Sequence, residues 1–382
     1  MVEWTTVTLA QVCEKPQYGA IAKGTTKAEG PLFVRQTDIT SGFIDWNSVP
    51  HCDLGASEIG RYSLKRGDLL ISRLGNGVGN AAAVTETRED AVFAGYLVRF
   101  RPKARTVSSG YVGYQLRSPA WRQHVSSYRS GAAQPTLNAQ QMGDFEFLLP
   151  PIAEQEAIAA TLGALDDKIE SNRRLIDLIP QLIRAQVDSE IEGAAEASVS
   201  SLASFVNGGA YTKGASGKGR MVLRIAELNS GPGGSTVYND IEVPGDRTAR
   251  AGDILMSWSG SLGVYRWFRD DAIINQHIFK VISTGYPAWL VYDRLDAVMP
   301  VFQGIAKDKA TTMGHIQRGH LDSTAVPVPS EDSIRNLDQV LGPLWDRLLL
   351  AERENLALER ARDALLPELL SGRIRVPVGA AT

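Results

Sequence analysis

The sequence predicts an α+β protein in which two β-rich domains are separated by two long antiparallel helices forming a coiled coil. The halves are related by an internal pseudo-two-fold repeat. Three observations predict this. Short segments of the first half recur in the same order in the second; each half opens with strand-like runs; and each half closes on a sustained heptad stripe.

The repeat is clearest at Arg66-Gly-Asp-Leu-Leu-Ile-Ser-Arg-Leu-Gly75, matched by Ala251-Gly-Asp-Ile-Leu-Met-Ser-Trp-Ser-Gly260 at an offset of 185 residues. Upstream, Phe33-Val-Arg-Gln-Thr-Asp-Ile39 parallels Val222-Leu-Arg-Ile-Ala-Glu-Leu228 at an offset of 189. Downstream, Leu162-Gly-Ala-Leu-Asp-Asp-Lys168 meets Leu341-Gly-Pro-Leu-Trp-Asp-Arg347 at an offset of 179. Each match is short, but a common order with a slowly drifting offset is not what chance produces.

Residues 1–150 form the first domain. Asp68-Leu-Leu-Ile-Ser72 and Tyr96-Leu-Val-Arg-Phe100 are apolar or alternating runs bounded by turn formers, hence strands. The repeated Gly-Asp ahead of a strand reads as a turn. Residues 151–193 form the first helical region, which starts after Pro150-Pro151. Ile158, Leu162, Leu165, Ile169, Ile176, Ile179 and Ile183 recur at spacings of three and four, with Asn172 as the one polar seam position. Pro180 lies inside this stripe and is expected to kink or interrupt the helix near Ile176. Residues 194–329 form the second domain, with its strands around residues 252–257 and 273–281. Residues 330–376 form the second helical region, whose stripe includes Leu341, Leu344, Leu348, Asn355 and Leu358. Pro367 is a second expected kink, Gly372 suits the position just past a helix end, and 377–382 is a tail. About 35 residues of helix at 1.5 Å per residue would span roughly 50 Å. A single such stripe would pack on its own domain; two copies of similar length, each trailing a β-rich unit, favour pairing with each other.

Composition bounds the function. With 43% hydrophobic and 22% charged residues the chain is of ordinary globular type, and no apolar run reaches the length of a membrane span. The start of the chain has no basic segment followed by an apolar stretch, so a secretory signal is not expected, and a cytoplasmic location is. Cys13 and Cys52 have no motif spacing and are expected to be buried thiols. Of five histidines, His315 and His320 are closest together, without a ligand set that would make a metal site. Net charge is −3, which alone argues mildly against a polyanion partner. The acidity is uneven: residues 151–193 carry −5, whereas residues 1–150 carry +3.

Two segments then carry a family resemblance. Leu149-Pro-Pro-Ile-Ala-Glu-Gln-Glu-Ala-Ile158, continuing through Leu165-Asp-Asp-Lys-Ile169 to Asn172-Arg-Arg174, resembles the central conserved region of type I restriction–modification specificity subunits. Arg362-Asp-Ala-Leu-Leu-Pro-Glu-Leu-Leu-Ser-Gly-Arg-Ile374 resembles their C-terminal conserved region. The resemblance covers essentially the whole chain. It implies two target-recognition domains, each reading one half of a split site on double-stranded DNA, with the helices fixing the gap. It further implies two modification (methyltransferase) subunits and restriction/translocase subunits as partners. S-adenosylmethionine and ATP with magnesium would belong to those subunits, and no cofactor to this chain. The second helical region departs from the pattern. Glu331-Asp-Ser-Ile334 stands where the first has Ala-Glu-Gln, and Pro343 and Trp345 enter its early turns.

Motifs for chemistry are missing, in keeping with a non-catalytic chain. Gly214-Ala-Ser-Gly-Lys-Gly219 has the wrong spacing for a phosphate loop and lacks the hydroxyl that would ligate magnesium. No Asn/Asp-Pro-Pro-aromatic tetrapeptide of an adenine methyltransferase occurs. Asp166 and Asp167 are adjacent on a helix, point about 100° apart, and cannot form a carboxylate pair.

DNA reading needs Arg or Lys for phosphate and guanine, Asn or Gln for adenine, and loops able to enter a groove. The loops after the repeated strand offer Arg73 and Asn76 in the first domain, and Trp258 and Ser259 in the second. Gln134 and Thr136, and then Lys307, Lys309 and His315, lie at the equivalent later place in each. Arg35 and Arg224 are equivalent by repeat position; each is as well suited to a structural ion pair as to DNA. Trp258, Trp267 and Trp289 suit a core better than a DNA contact. The polar outer face of the helices, with Glu154, Gln155, Arg173 and Arg174, is a candidate docking face for the methyltransferase subunits. A different class of function, a coiled-coil adaptor with two protein-binding β modules, fits the same plan without DNA.

Overall fold

The computed structural model describes residues 3–377 except 28, 40–41, 87, 89, 129–135 and 309–313. The chain divides into two compact units, residues 1–167 with 358–382, and residues 168–357. Each unit therefore takes part of both long helices, Ile152–Glu190 and Glu331–Leu370.

In the first unit, the strand Thr5–Thr8 runs antiparallel to Glu146–Leu149, so the chain's start lies beside the segment that feeds the central helix. A four-stranded antiparallel sheet has the order Gln17–Tyr18, Leu97–Phe100, Leu69–Ser72, Ala81–Ala83. Its strand Leu69–Ser72 is buried at every residue, which explains an uninterrupted apolar run where alternation would mark a half-exposed strand. Phe33–Val34 pairs in parallel with Val92–Phe93 beside this sheet. The core gathers Leu69, Ile71, Val98 and Phe100 with Trp121 and Met142. Ile158 and Leu162 of the central helix and Leu366, Leu369 and Leu370 of the C-terminal helix pack into it.

The second unit repeats the plan. Glu196–Ser198 pairs with Ala325–Pro327, and a four-stranded sheet has the order Ala203–Asn207, Ile278–Ser283, Ile254–Ser257, Gly263–Arg266. Arg220–Leu223 runs parallel to Ala272–Ile274. The run expected as one strand over 273–281 is thus two, Ala272–Ile274 and Ile278–Ser283, serving different sheets. Helix Ala288–Asp308 covers the sheet, and Ile179, Ile183 and Val187 pack in the same core as Leu341, Trp345 and Leu348. The Gly-Asp turn is the same in both units. Gly67 and Gly252 take φ of +92° and +97°, a region that favours glycine, and the following aspartates accept the amides of Lys65 and Arg250 at 2.8 and 2.6 Å.

Within each unit the two helices pack as the heptad stripe requires. In the first, Ile158 and Leu162 are buried and Leu165 half-buried. In the second, Ile169, Asn172, Leu341, Leu348 and Asn355 are buried, whereas Ile176 and Leu344 are half-buried. Asn172 Nδ2 donates to Asn355 Oδ1 at 3.1 Å, and Asn355 Nδ2 to the carbonyl of Ile169 at 3.3 Å. Leu358, half-buried, belongs to the first unit. Two expectations are corrected. The helices are not interrupted at Pro180 or Pro367, because the apolar residues on both sides of each proline (Ile179 and Ile183; Leu366 and Leu369) stay buried and hold the turns in register. Glu154 and Gln155 do not lie on an outer face. Glu154 accepts from Trp4 Nε1 and Arg375 Nη1, both at 2.9 Å, and fully buried Gln155 bonds the backbone of Thr106, Ser108 and Pro150. Arg173 is half-buried and Arg174 exposed beside Glu170. Gly372 ends the C-terminal helix with φ +73°, as its position predicts.

Candidate nucleic-acid interface

The loops after the buried strands are held by one backbone frame that occurs in both units. In the first, Arg73 N–H donates to the Tyr96 carbonyl at 3.0 Å, Leu137 N–H donates to the Arg73 carbonyl at 2.9 Å, and Leu74 bridges to Thr136. In the second, Trp258 N–H donates to the His277 carbonyl at 3.2 Å, Ile316 N–H donates to the Trp258 carbonyl at 3.0 Å, and Ser259 bridges to His315. The next residues, Gly75 and Gly260, have φ of +67° and +66°. A single turn geometry therefore presents Arg73-Leu-Gly75 in one unit and Trp258-Ser-Gly260 in the other.

What the frame carries differs. The Arg73 guanidinium lies over the Tyr18 ring at 5.0 Å, and Tyr18 Oη accepts the Ala139 amide at 3.2 Å. In the second unit Trp258 Nε1 donates to Asn207 Oδ1 at 2.9 Å, and its ring meets His277 at 5.3 Å and Phe279 at 5.9 Å. Ser259 is buried, with its hydroxyl 3.1 Å from His277 Nδ1. Asn76 is exposed on the short 3-10 turn Gly75–Gly77, and Thr136 and His315 are exposed beside the loops. Lys307 is exposed near the end of helix Ala288–Asp308. Gln134 and Lys309 lie outside the described residues. Trp267 and Trp289 are core residues, 3% and 1% exposed.

Arg35 and Arg224 are held alike. Arg35 Nε and Nη2 donate to the buried Asp38 at 3.1 and 2.8 Å, and Nη2 donates again to the Ser48 carbonyl. Arg224 does the same to the buried Glu227 and the Ser235 carbonyl. Hydrogen bonding to the carboxylate raises each guanidinium above its ordinary range. Burial pushes Glu227 up, but the bonds from Arg224 outweigh it and hold the carboxyl low. These arginines are thus built into the frame. Arg35 also lines an open cleft of about 550 Å³ with Lys23, Gln36, Thr37, Gly75 and Tyr96. The Ser72 hydroxyl donates to Gln36 Oε1 at 3.2 Å, which leaves the amide nitrogen of Gln36 as its donor end.

Sequence reasoning missed Tyr18, Gln36, Tyr96, Asn207 and His277. Each reaches the loop through strand pairing or side-chain contact with a segment at least 18 residues away. The signal available was the repeat itself, extended to Tyr18-Gly19 against Asn207-Gly208. Both free thiols are buried as expected; burial pushes Cys52 up to about 11 and Cys13 to about 12. Among the described residues no cluster could hold a metal ion, and no helix is long and apolar enough to cross a membrane.

A duplicated module that holds one turn geometry and varies its side chains belongs to the class of two-module recognition proteins. Residues 1–181 match the type I restriction modification DNA specificity domain. A putative type I restriction enzyme MjaX specificity subunit of Methanocaldococcus jannaschii is 25% identical over 182 residues, which are 46% of this chain and 43% of that one. The MjaIX specificity subunit of the same organism is 19% identical over 316 residues, 72% of this chain and 71% of that one. The chain thus spans less than half of the first relative's length. The fold is similar to that of the S subunit of a type I restriction–modification system from M. genitalium, with a TM-score of 0.67, 13% identity, and coverage of 97% of this chain and 96% of that one. Residues 1–181 thus match the type I restriction modification DNA specificity domain, and the chain as a whole is similar in fold to a specificity subunit.

Proposed function

We propose that the chain is the sequence-reading subunit of a type I restriction–modification complex and that it reads a bipartite site on double-stranded DNA, one half per compact unit. It catalyses nothing itself. Two methyltransferase subunits, docked on the long helices, carry S-adenosylmethionine and modify the site. Restriction/translocase subunits, with ATP and magnesium, translocate and cleave, and the assembly works in the cytoplasm.

The observation that carries this reading is the turn after Ser72 and Ser257, one backbone frame bearing Arg73 and Tyr18 in one unit and Trp258 and Asn207 in the other. Repeating a frame while changing what it displays is what reading two different half-sites requires, since phosphate contacts position a protein while base-edge contacts specify sequence. The test is footprinting of the chain purified with its methyltransferase partner. Two protected half-sites on the order of one DNA turn apart, with affinity falling steeply as salt rises, are expected. A contiguous, undivided site, or affinity indifferent to salt, refutes the reading.

A further inference from the structure

We propose that Arg73, held over the Tyr18 ring, selects a guanine in the half-site read by the first unit, and that the second unit reads its half without a guanidinium at that place. This inference rests on the function proposed above and adds to it a residue and the base it selects.

Among the described residues, Arg73 has no carboxylate partner, unlike several other arginines of the first unit. Arg35, Arg101 and Arg117 each spend their guanidinium on a buried carboxylate, namely Asp38, Asp68 and Asp166. Among the described residues, Arg73 donates no side-chain hydrogen bond and meets no carboxylate, and its Nε is buried without a partner. A buried, unsatisfied N–H on a charged group is costly unless something supplies the acceptor. What does hold Arg73 is geometry. Its backbone is fixed from both sides by Tyr96 and Leu137, and its planar group rests on a Tyr18 ring that is itself tied to Ala139. A cation–ring contact uses none of the guanidinium's N–H donors, and the matching edge on DNA is the O6/N7 pair of guanine in the major groove. The cleft bounded by Leu74, Gly75, Tyr96 and Gln36 opens beside it, with cations Lys23 and Arg35 on its wall and no acidic residue among the described residues that line it.

The second unit keeps the backbone frame and changes the side chains on it. Trp258 replaces Arg73, and its one donor is already used on Asn207. Gln36 corresponds to Ile225, whose Cδ1 would lie 3.8 Å from a Cβ placed on Gly260.

The test uses the whole chain in complex with its methyltransferase partner, reading the modified motif by methylation-sensitive sequencing and DNA affinity on synthetic duplexes. Arg73→Lys removes the fork and keeps the charge. It is expected to cut the preference for one G·C pair in one half-site by about tenfold or more, leaving the other half-site and overall binding in place. Tyr18→Phe keeps the ring and should keep the preference; Tyr18→Leu, which lets the guanidinium swing, should weaken it at the same position and carries the test if Arg73→Lys does not fold. The proposal is overturned if Arg73→Lys leaves both half-sites unchanged, relaxes a position that is not G·C, or lowers affinity equally for all sequences, the mark of a phosphate contact. In any of those cases the wild-type footprint still stands. A wild-type complex with no salt-dependent DNA binding would instead remove the underlying function.

Discussion

Asp166 offers a sharp test of how the first unit is held together. It sits on the central helix, 3% exposed, and receives three donors from elsewhere in the same unit. Tyr114 Oη donates at 2.8 Å, Arg117 Nη1 at 2.7 Å and Arg362 Nη1 at 3.0 Å, so one carboxylate ties the helix to the β-rich part and to the C-terminal helix. Burial pushes its pKa up, but the bonds from Arg117, Arg362 and Tyr114 outweigh burial and hold it below the usual carboxylate range. Breaking a fully buried pair by removing one partner costs about 3–5 kcal/mol. Arg117 and Arg362 each keep 19% exposure and recover some hydration, so Asp166→Ala is expected to cost about 2–4 kcal/mol. Asp166→Asn keeps the shape and an acceptor and should cost roughly half of that. The assay is chemical denaturation followed by the fluorescence of buried Trp121. Since the folded pKa is depressed, this stabilisation is present above the unfolded carboxyl value of about 3.9 and is lost as pH falls through the folded value. The gap between wild type and Asp166→Asn should therefore close on acidification below about pH 4. A cost under about 1 kcal/mol for Asp166→Ala at neutral pH, or a gap that persists in acid, would refute the assignment.

Two further predictions concern other elements. Glu352 pairs with buried Arg266 at 2.6 Å, yet burial outweighs that pairing and pushes Glu352 up to about 7. With the folded pKa raised, its contribution is complete below the unfolded value of about 4.3 and is lost as pH rises toward 7. Wild type should thus lose up to about 3 kcal/mol across that window and Glu352→Gln should not; equal pH slopes in melting experiments would count against it. Gly19 and Gly208 are repeat partners at which a Cβ would sit 2.3 Å from backbone oxygens, of Phe93 and Ala94 and of Ile274 and Asn275. Alanine at either should cost about 2–4 kcal/mol, whereas Gly60→Ala, in open space on helix Ala56–Tyr62, should gain a few tenths up to about 1 kcal/mol, both read by denaturation.

The repeat, the strand after each Gly-Asp and the heptad stripe were legible because each is local. A turn, an apolar run and a 3.5-residue period are written in consecutive residues. The features that escaped depend on distant partners. Glu154 and Gln155 look like surface residues by heptad position, but the first turn of their helix meets Trp4, Arg375 and the Thr106–Ser108 backbone, none of them near in sequence. Asp166 next to Asp167 reads as one more acidic pair; only the fold brings Tyr114, Arg117 and Arg362 to the first and leaves the second exposed. The helix runs on without interruption through Pro180 for a related reason. The missing hydrogen bond is a local cost, while the packing of Ile179 and Ile183 that offsets it comes from the second unit's core.

The internal repeat also allows a comparison within one molecule. Positions that are the same in both units are those that make the frame: Gly67 and Gly252, Asp68 and Asp253, Gly75 and Gly260, Arg35 and Arg224. The last pair survives even a change of carboxylate, Asp38 to Glu227, because both side chains close the same bonds from the arginine's amide and guanidinium back to residue i+3. Positions that differ cluster around the loop those residues hold: Tyr18 against Asn207, Gln36 against Ile225, Arg73 against Trp258, Tyr96 against His277. Around the loop, the positive-φ glycines and the carboxylate-bound arginines fall in the shared set, so the differing set can change without undoing the turn. On the function proposed above, that division would let one frame serve two different half-sites, and it would place the search for specificity at four side chains per unit rather than across the whole surface.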